Sequence, residues 1–401
     1  MPGSRAAGVV GIFVLVLAAC GEPRAVAEDL LFLQSPGGVA IVRSGGGPPE
    51  FSAAEALPSH DWSTVVRTVT GEDSTRILAE DPSSGAELWS RGSPGRLEVK
   101  AVSGDGDIAV LEPAGRRYRR SPTVTKFVIA RRSSAKLETI ELEGNFAPEA
   151  FSTDGAGLFV VQYFPARRPN RYQVRRLDLA TGVVKNVYSV DAELQESMRG
   201  TARIQAMSPD GTRLYTLYSL KRGGDPYAFV HVLSLDEQWA HCVDLPPDFA
   251  EGAESSTALA VAPDGRRLYV ASAPRRKLAE IDTEELTIAR TSTVDFGWGE
   301  GTHAAVGSDS ALYLASGHSV VAVDRHDLDV TRSWELDLSA TGLQDGDGKL
   351  YVGQDSEIAV LDTAPGAGPS HIDPKGVGRI KHLGRVMPAL QGARSEFICA
   401  C

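Results

Sequence analysis

The sequence predicts an all-β chain assembled from repeated four-stranded antiparallel sheets, and three observations carry that expectation. The first is an echo. Ser208-Pro209-Asp210-Gly211-Thr212-Arg213-Leu214-Tyr215-Thr216-Leu217 returns as Ala262-Pro263-Asp264-Gly265-Arg266-Arg267-Leu268-Tyr269-Val270-Ala271. Pro fixes φ at the first corner of a turn, Asp caps it, and Gly supplies the positive φ of a strand reversal. The Leu-Tyr runs that follow suit a strand buried on both faces. The second is a train of such turns, at Asp105-Gly106, Asp154-Gly155, Asp210-Gly211, Asp264-Gly265, Asp309-Ser310 and Asp347-Gly348, spaced by 49, 56, 54, 45 and 38 residues. That drift is too wide for a solenoid of fixed rise, but it fits blades of a ring with variable loops. The third is a recurring apolar-Asp ending, in 174–178, 278–282, 320–324 and 358–362. Gly211 and Gly265 are accordingly expected at positive φ.

Residues 1–19 read as a signal peptide. Arg5 gives a weakly positive start, and the apolar run 9–17 is too short to span a bilayer. Residues 20–29 form a linker. Strands begin at 30–33 and 38–42, and the Gly/Pro-rich stretch from Ser44 to Pro58 reads as a long loop or a weak outer strand. Two strands flank the Asp-x-x-x-Gly turn of Ala79 to Trp89, and full units follow one another to about residue 383. Radially packed four-stranded sheets hide the exposed edges of an all-β chain. Seven full units and a partial first one are legible. Seven blades are therefore expected over residues 30–385, with eight as the alternative, and the partial N-terminal strands are expected to complete the last blade. Residues 386–401 are a tail.

These motifs carry three resemblances. Leu17-Ala18-Ala19-Cys20-Gly21, placed directly behind the apolar run, resembles the bacterial lipoprotein lipobox. That implies acylation of Cys20, attachment to membrane lipid, and a chain held on the extracytoplasmic side of the cell envelope. Pro-Asp-Gly-x-x-Leu-Tyr-Val and the apolar-Asp-Thr third strand resemble the YVTN-type and TolB-like β-propeller repeats. The segment 79–89 resembles the repeat of the pyrroloquinoline-quinone dehydrogenase propellers. One such repeat does not deliver the residues that embrace a quinone, and the Glu/His/Arg arrangement of YVTN-type lactonases is not placed here.

Composition narrows the function classes. With 401 residues, 42% hydrophobic and 23% charged, the chain is ordinary globular material. A net charge of −11 argues against nucleic acid as a partner. The Arg clusters at 116–120, 131–132 and 167–168 read as solvated loops. No Gly-x-Ser-x-Gly elbow, phosphate loop or zinc-type His spacing is present, so neither metal nor cofactor is expected. With Cys20 acylated, Cys242, Cys399 and Cys401 remain. Either Cys242 joins one tail cysteine in a disulfide or all three stay as thiols.

The expected function is a binding or scaffolding module for a protein, peptide or glycan. A propeller enzyme, lactonase-like or quinone-dependent, is the alternative. The expected site is topological. Connections from one blade's outer strand to the next blade's inner strand crowd around the channel mouth, and loops on a rigid frame collect binding residues. Trp298, Glu300 and His303 come from one such connection, Arg199 and Arg203 from a second, and Asp248 and Glu254 from a third.

Overall fold

The computed structural model describes residues 28–386 apart from 117–122, 191–197, 223–224, 251–255, 298, 300, 308–310, 347 and 365–367. The described strands form eight antiparallel sheets, each the blade of a ring. Blade 1 joins the two ends of the chain. His382–Val386 is its innermost strand and pairs antiparallel with Leu30–Ser35, followed outward by Gly38–Arg43 and Phe51–Ala53. Blades 2 to 8 then follow in sequence, with inner strands Ala56–Pro58, Leu97–Val102, Asn145–Phe151, Thr201–Met207, Thr257–Val261, Thr302–Val306 and Ala340–Gly346. Blade 5 carries an extra outer strand, Tyr188–Ser189, parallel to Trp239–Leu245.

Eight blades correct the expected seven. The seven full units of the sequence are blades 2 to 8, and the partial first unit is blade 1, which closes with the single C-terminal strand His382–Val386 and so adds an eighth. The first turn of blade 2 is Ser59-His60-Asp61-Trp62, with Trp62 at φ +57°. The stretch read as a long loop or a weak outer strand from Ser44 to Pro58 holds the outer strand of blade 1 and, beyond that reading, the inner strand of blade 2. The N-terminal strands do complete the closing blade, as expected.

The turns share one chemistry. In blades 2 to 5, Ser59, Ser103, Ser152 and Ser208 donate Oγ–H to Oδ1 of Asp61, Asp105, Asp154 and Asp210, at 2.7, 2.7, 2.5 and 2.6 Å. The same serine oxygen accepts the N–H that opens the second strand, from Thr64, Ile108, Gly157 and Arg213 at 2.8–3.0 Å. Gly211 and Gly265 both stand at φ +72°, as the turn type requires. The third strands Arg171–Asp178, Lys277–Asp282, Ser319–Asp324 and Glu357–Asp362 end on the expected aspartates, whose Oδ1 atoms accept N–H groups two or three residues on.

Packing between blades explains the Leu-Tyr echo. Tyr215, Tyr269, Tyr313 and Tyr351 occupy the same register in the second strands of blades 5 to 8, and all four are fully buried. Their hydroxyls reach the neighbouring blade where a partner stands. Arg325 of blade 7 donates to Tyr269 at 3.2 Å, and Tyr351 donates to Asp29 at 2.7 Å. A buried tyrosine needs such a partner, and here it joins two blades.

The arginine clusters are not all solvated. Arg116 is almost wholly buried and ion-paired with the fully buried Glu112. It also donates to Thr125 Oγ1 and the Phe146 carbonyl, both at 2.8 Å, so it ties blade 3 to blade 4.

Candidate functional site on the ring axis

Each inner strand runs from the connection end of the ring to the turn end, beside the axis. At the turn end the axis is crossed. His60 of blade 2 lies 3.2 Å from the Pro209 carbonyl of blade 5, three blades away, and its ring packs so close that a Cβ on Gly211 would meet it at 2.8 Å. The connection end is the one the sequence argument selects for a site.

Four inner strands carry a β-bulge, and in each the residue left out of the pairing is polar. These are Lys100 in blade 3, Glu149 in blade 4, Arg203 in blade 5 and Thr341 in blade 8. A bulge leaves one residue unpaired and re-aims its side chain, a device common beside functional sites. The inner strands thus carry Lys100, Glu149 and Thr341 at positions freed from the ladder by backbone geometry.

The charges along this wall differ in state. Lys100 Nζ is 2.8 Å from Glu98 Oε2, and Glu98 also accepts the Gly115 N–H at 3.0 Å. Burial works to raise the Glu98 pKa, but those two hydrogen bonds with the Lys100 and Arg96 charges outweigh it and hold it below the usual value. Glu149 has no cation beside it among the described residues. Its Oε1 accepts from Gln205 Nε2 at 3.2 Å, while Oε2 is enclosed without a hydrogen-bond partner. Burial pushes its pKa up to about 7, opposed only in part by Gln205. Gln205 is held in turn by Thr216 Oγ1 at 3.0 Å.

Toward the connection end stand two imidazoles, His303 of blade 7 and His382 of blade 1. Both keep a little solvent contact at the residue level, yet the rings sit deep among protein atoms. Burial lowers each to about 4, and the His382 charge further disfavours protonation of His303, which a hydrogen bond to the Ala340 backbone partly offsets. Both are therefore neutral at pH 7. His303 Nε2, Thr341 Oγ1 and Gln354 Oε1 are buried polar atoms without a geometrically sound partner. A gathering of such atoms calls for a bound water or ligand.

Of the residues expected to form the site, His303 and Arg203 lie on inner strands. The Arg203 side chain, with Trp298, Glu300 and Glu254, lies outside the described residues, as do Cys20, Cys399 and Cys401. Arg199 is exposed on the connection into blade 5, and Asp248 is half-buried in the single 3-10 turn Pro247–Phe249 of the connection into blade 6. Among the described residues no hydrogen bond or ion pair joins Arg199, Asp248 and His303. Sequence reasoning missed Lys100, Glu149, Gln205, Thr341 and His382. One signal was available, because Pro148 inside an apolar strand is the mark of a bulge.

Two cavities lie between blades rather than on the axis. One of about 470 Å³ separates blade 8 from blade 1 and is bordered by Ser44 to Gly47, Lys349, Asp362, His371 and Lys375. The other, about 100 Å³, lies between blades 4 and 5.

Ring, blade and turn together define an eight-bladed β-propeller of four-stranded antiparallel blades. The comparisons agree on that class. AztD from Citrobacter koseri is similar with a TM-score of 0.56 at 14% identity, covering 89% of this chain and 98% of AztD. The dihydro-heme d1 dehydrogenase NirN, solved in complex with DHE, is similar with a TM-score of 0.54 at 13% identity, covering 89% and 75%. Sqt1 from Saccharomyces cerevisiae gives 0.50 at 12% identity, covering 80% and 86%. At such identities the likeness concerns the fold. No family model and no curated protein matches the sequence.

Proposed function

We propose that this chain is a lipid-anchored, extracytoplasmic propeller that binds a polar ligand, a peptide or glycan, at the connection end of its axis. The observation that carries the reading is the set of inner-strand bulges. They free Lys100, Glu149 and Thr341 from the ladders of the inner strands, beside buried polar atoms of Glu149, His303 and Thr341 that lack partners. A ligand bearing several donors and acceptors would satisfy those atoms, and the rigid ring loses little entropy on binding it. Anchoring rests on Cys20 and its lipobox-like setting.

Binding is tested by probing peptide and glycan arrays with the soluble chain, then repeating the positive spots with Glu149→Gln and Thr341→Val. Loss of binding, with no melting temperature lowered, supports the axial site. Undiminished binding by the double variant removes it. Cys20→Ala should release the chain from the membrane fraction, and unchanged fractionation would contradict the anchor.

One observation favours a second reading. A carboxyl with a pKa of about 7 is poised for general acid or base work, which a pure binding module does not need. In that case Glu149→Gln would abolish turnover of the identified ligand while leaving its affinity nearly unchanged.

A further inference from the structure

We propose that the cavity between blades 4 and 5 binds cuprous copper, through the imidazole of His231, the thiol of Cys242 and the thioether of Met198. All three residues border that cavity of about 100 Å³. Two are set by register. Across blade 5 the residues Gln205, Thr216, His231 and Cys242 stand opposite one another in successive strands, forming one row on one face of the sheet. Directly opposed residues on one face keep their Cβ atoms about 4.5–5.5 Å apart. An ion with bonds of about 2.0 Å to nitrogen and about 2.3 Å to sulfur spans that separation. The third ligand comes from the connection between the blades. Met198 exchanges two backbone hydrogen bonds with Tyr172, at 2.7 and 2.9 Å, which hold it over the seam. It packs there against the apolar clusters that also take in Ala240 and Cys242.

The surroundings select the ion. Tyr172, Tyr218 and Phe229 stack at 5.3 Å spacings on one side of the row, and Phe159, Leu214 and Leu233 cover the other. His231 is 3% exposed, and its Nδ1 has no hydrogen-bond partner. Among the described residues no three His, Cys, Asp or Glu groups converge as a metal set. His241 also borders the cavity, although as the strand neighbour of Cys242 its side chain leaves by the opposite face. One nitrogen and two soft sulfurs suit copper(I). Binding converts the Cys242 thiol to a thiolate bound to copper, with one proton released to solvent and no change of oxidation state.

The test uses the full chain with Cys20, Cys399 and Cys401 changed to Ser, so that the tail cysteines cannot compete. Copper(I) is titrated anaerobically against a chromogenic copper(I) chelator. One equivalent should bind, X-ray absorption should report mixed sulfur and nitrogen ligands, and Cys242→Ser, His231→Gln and Met198→Leu should each weaken it by about tenfold or more. Met198→Leu conserves volume and so guards against loss of fold, which melting curves check for every variant. Copper(I) that is not retained, Cys242→Ser without effect, or equal affinity for zinc(II) would each overturn the assignment. So would a disulfide from Cys242 to Cys399 or Cys401 in the isolated wild-type chain.

Discussion

Replacing Glu149 with glutamine should make the protein more stable, and only above about pH 5. In the folded ring the Glu149 pKa stands near 7 rather than 4.5, because burial penalises the carboxylate and only Gln205 opposes that cost. A carboxyl whose folded pKa is raised binds a proton more tightly when folded, so its contribution favours folding below about pH 4.5. That contribution is lost progressively as pH climbs to about 7, and above 7 the loss is complete. At about 1.36 kcal/mol per pH unit, the displacement corresponds to a cost of about 3 kcal/mol for the ionised wild type. The neutral amide of the variant carries no such cost, and its carbonyl still accepts from Gln205. His231, His303 and His382 work in the opposite sense. Their lowered pKa values give stability that is complete above about pH 6.5 and lost as pH falls through about 4. Because the variant keeps all three, subtracting wild type from variant isolates Glu149. The assay is urea unfolding of both proteins from pH 4.5 to 8. The difference should be near zero at the acid end, rise through pH 5–7 and level off at about 3 kcal/mol. A difference that is flat with pH would refute the buried carboxyl with its raised pKa.

Other outcomes follow from the packing. Arg116→Met should cost about 3–5 kcal/mol by leaving the fully buried Glu112 without its cation, and adding Glu112→Leu should recover most of it, measured by a double-mutant cycle in urea. Gly211→Val and Gly265→Val share the positive-φ penalty of about 1–3 kcal/mol. Only the former also drives a Cβ into His60, so its melting temperature should fall further, and equal losses would count against the contact across the axis. Deleting residues 382–401 removes the inner strand of blade 1 and should abolish the cooperative thermal transition; a truncated chain that melts like wild type would contradict the closure.

How much of this was legible follows from what each feature asks of the chain. The Asp-Gly turns, the Leu-Tyr strands and the aspartate endings need particular residues at fixed spacing, so they appear in the sequence and stand in the fold. The first turn of blade 2 escaped because Trp62 occupies the left-handed position by virtue of its packing, 5.2 Å from the Phe32 ring, and so breaks the glycine signal. Arg116 reads as solvated because nothing local distinguishes an arginine paired to a buried Glu112 from one in water. The axial bulges are differences in pairing between strands. A single extra residue such as Glu149 or Thr341 alters neither composition nor periodicity, so most of the candidate site was hidden. Topology alone still put His303 where an outer-to-inner connection enters an inner strand. It could not reveal His382, which joins the same end of the ring only because the last strand returns to the first.

That return has a consequence for how the protein comes to exist. Residue 34 pairs with residue 382, so the seam of blade 1 closes a loop of about 350 residues. The entropic cost of that one encounter is about 5 kcal/mol before any contact rewards it. Seven blades can stack in order as the chain emerges, but the circle stays open until its final strand is made. The N-terminal strands meanwhile wait with one edge unpaired. Closure is thus the last event in folding and the natural first event in unfolding, and it happens about ten residues from Cys20. If that cysteine carries the anchor, the ring is clasped shut at the end nearest the membrane, where opening is most hindered.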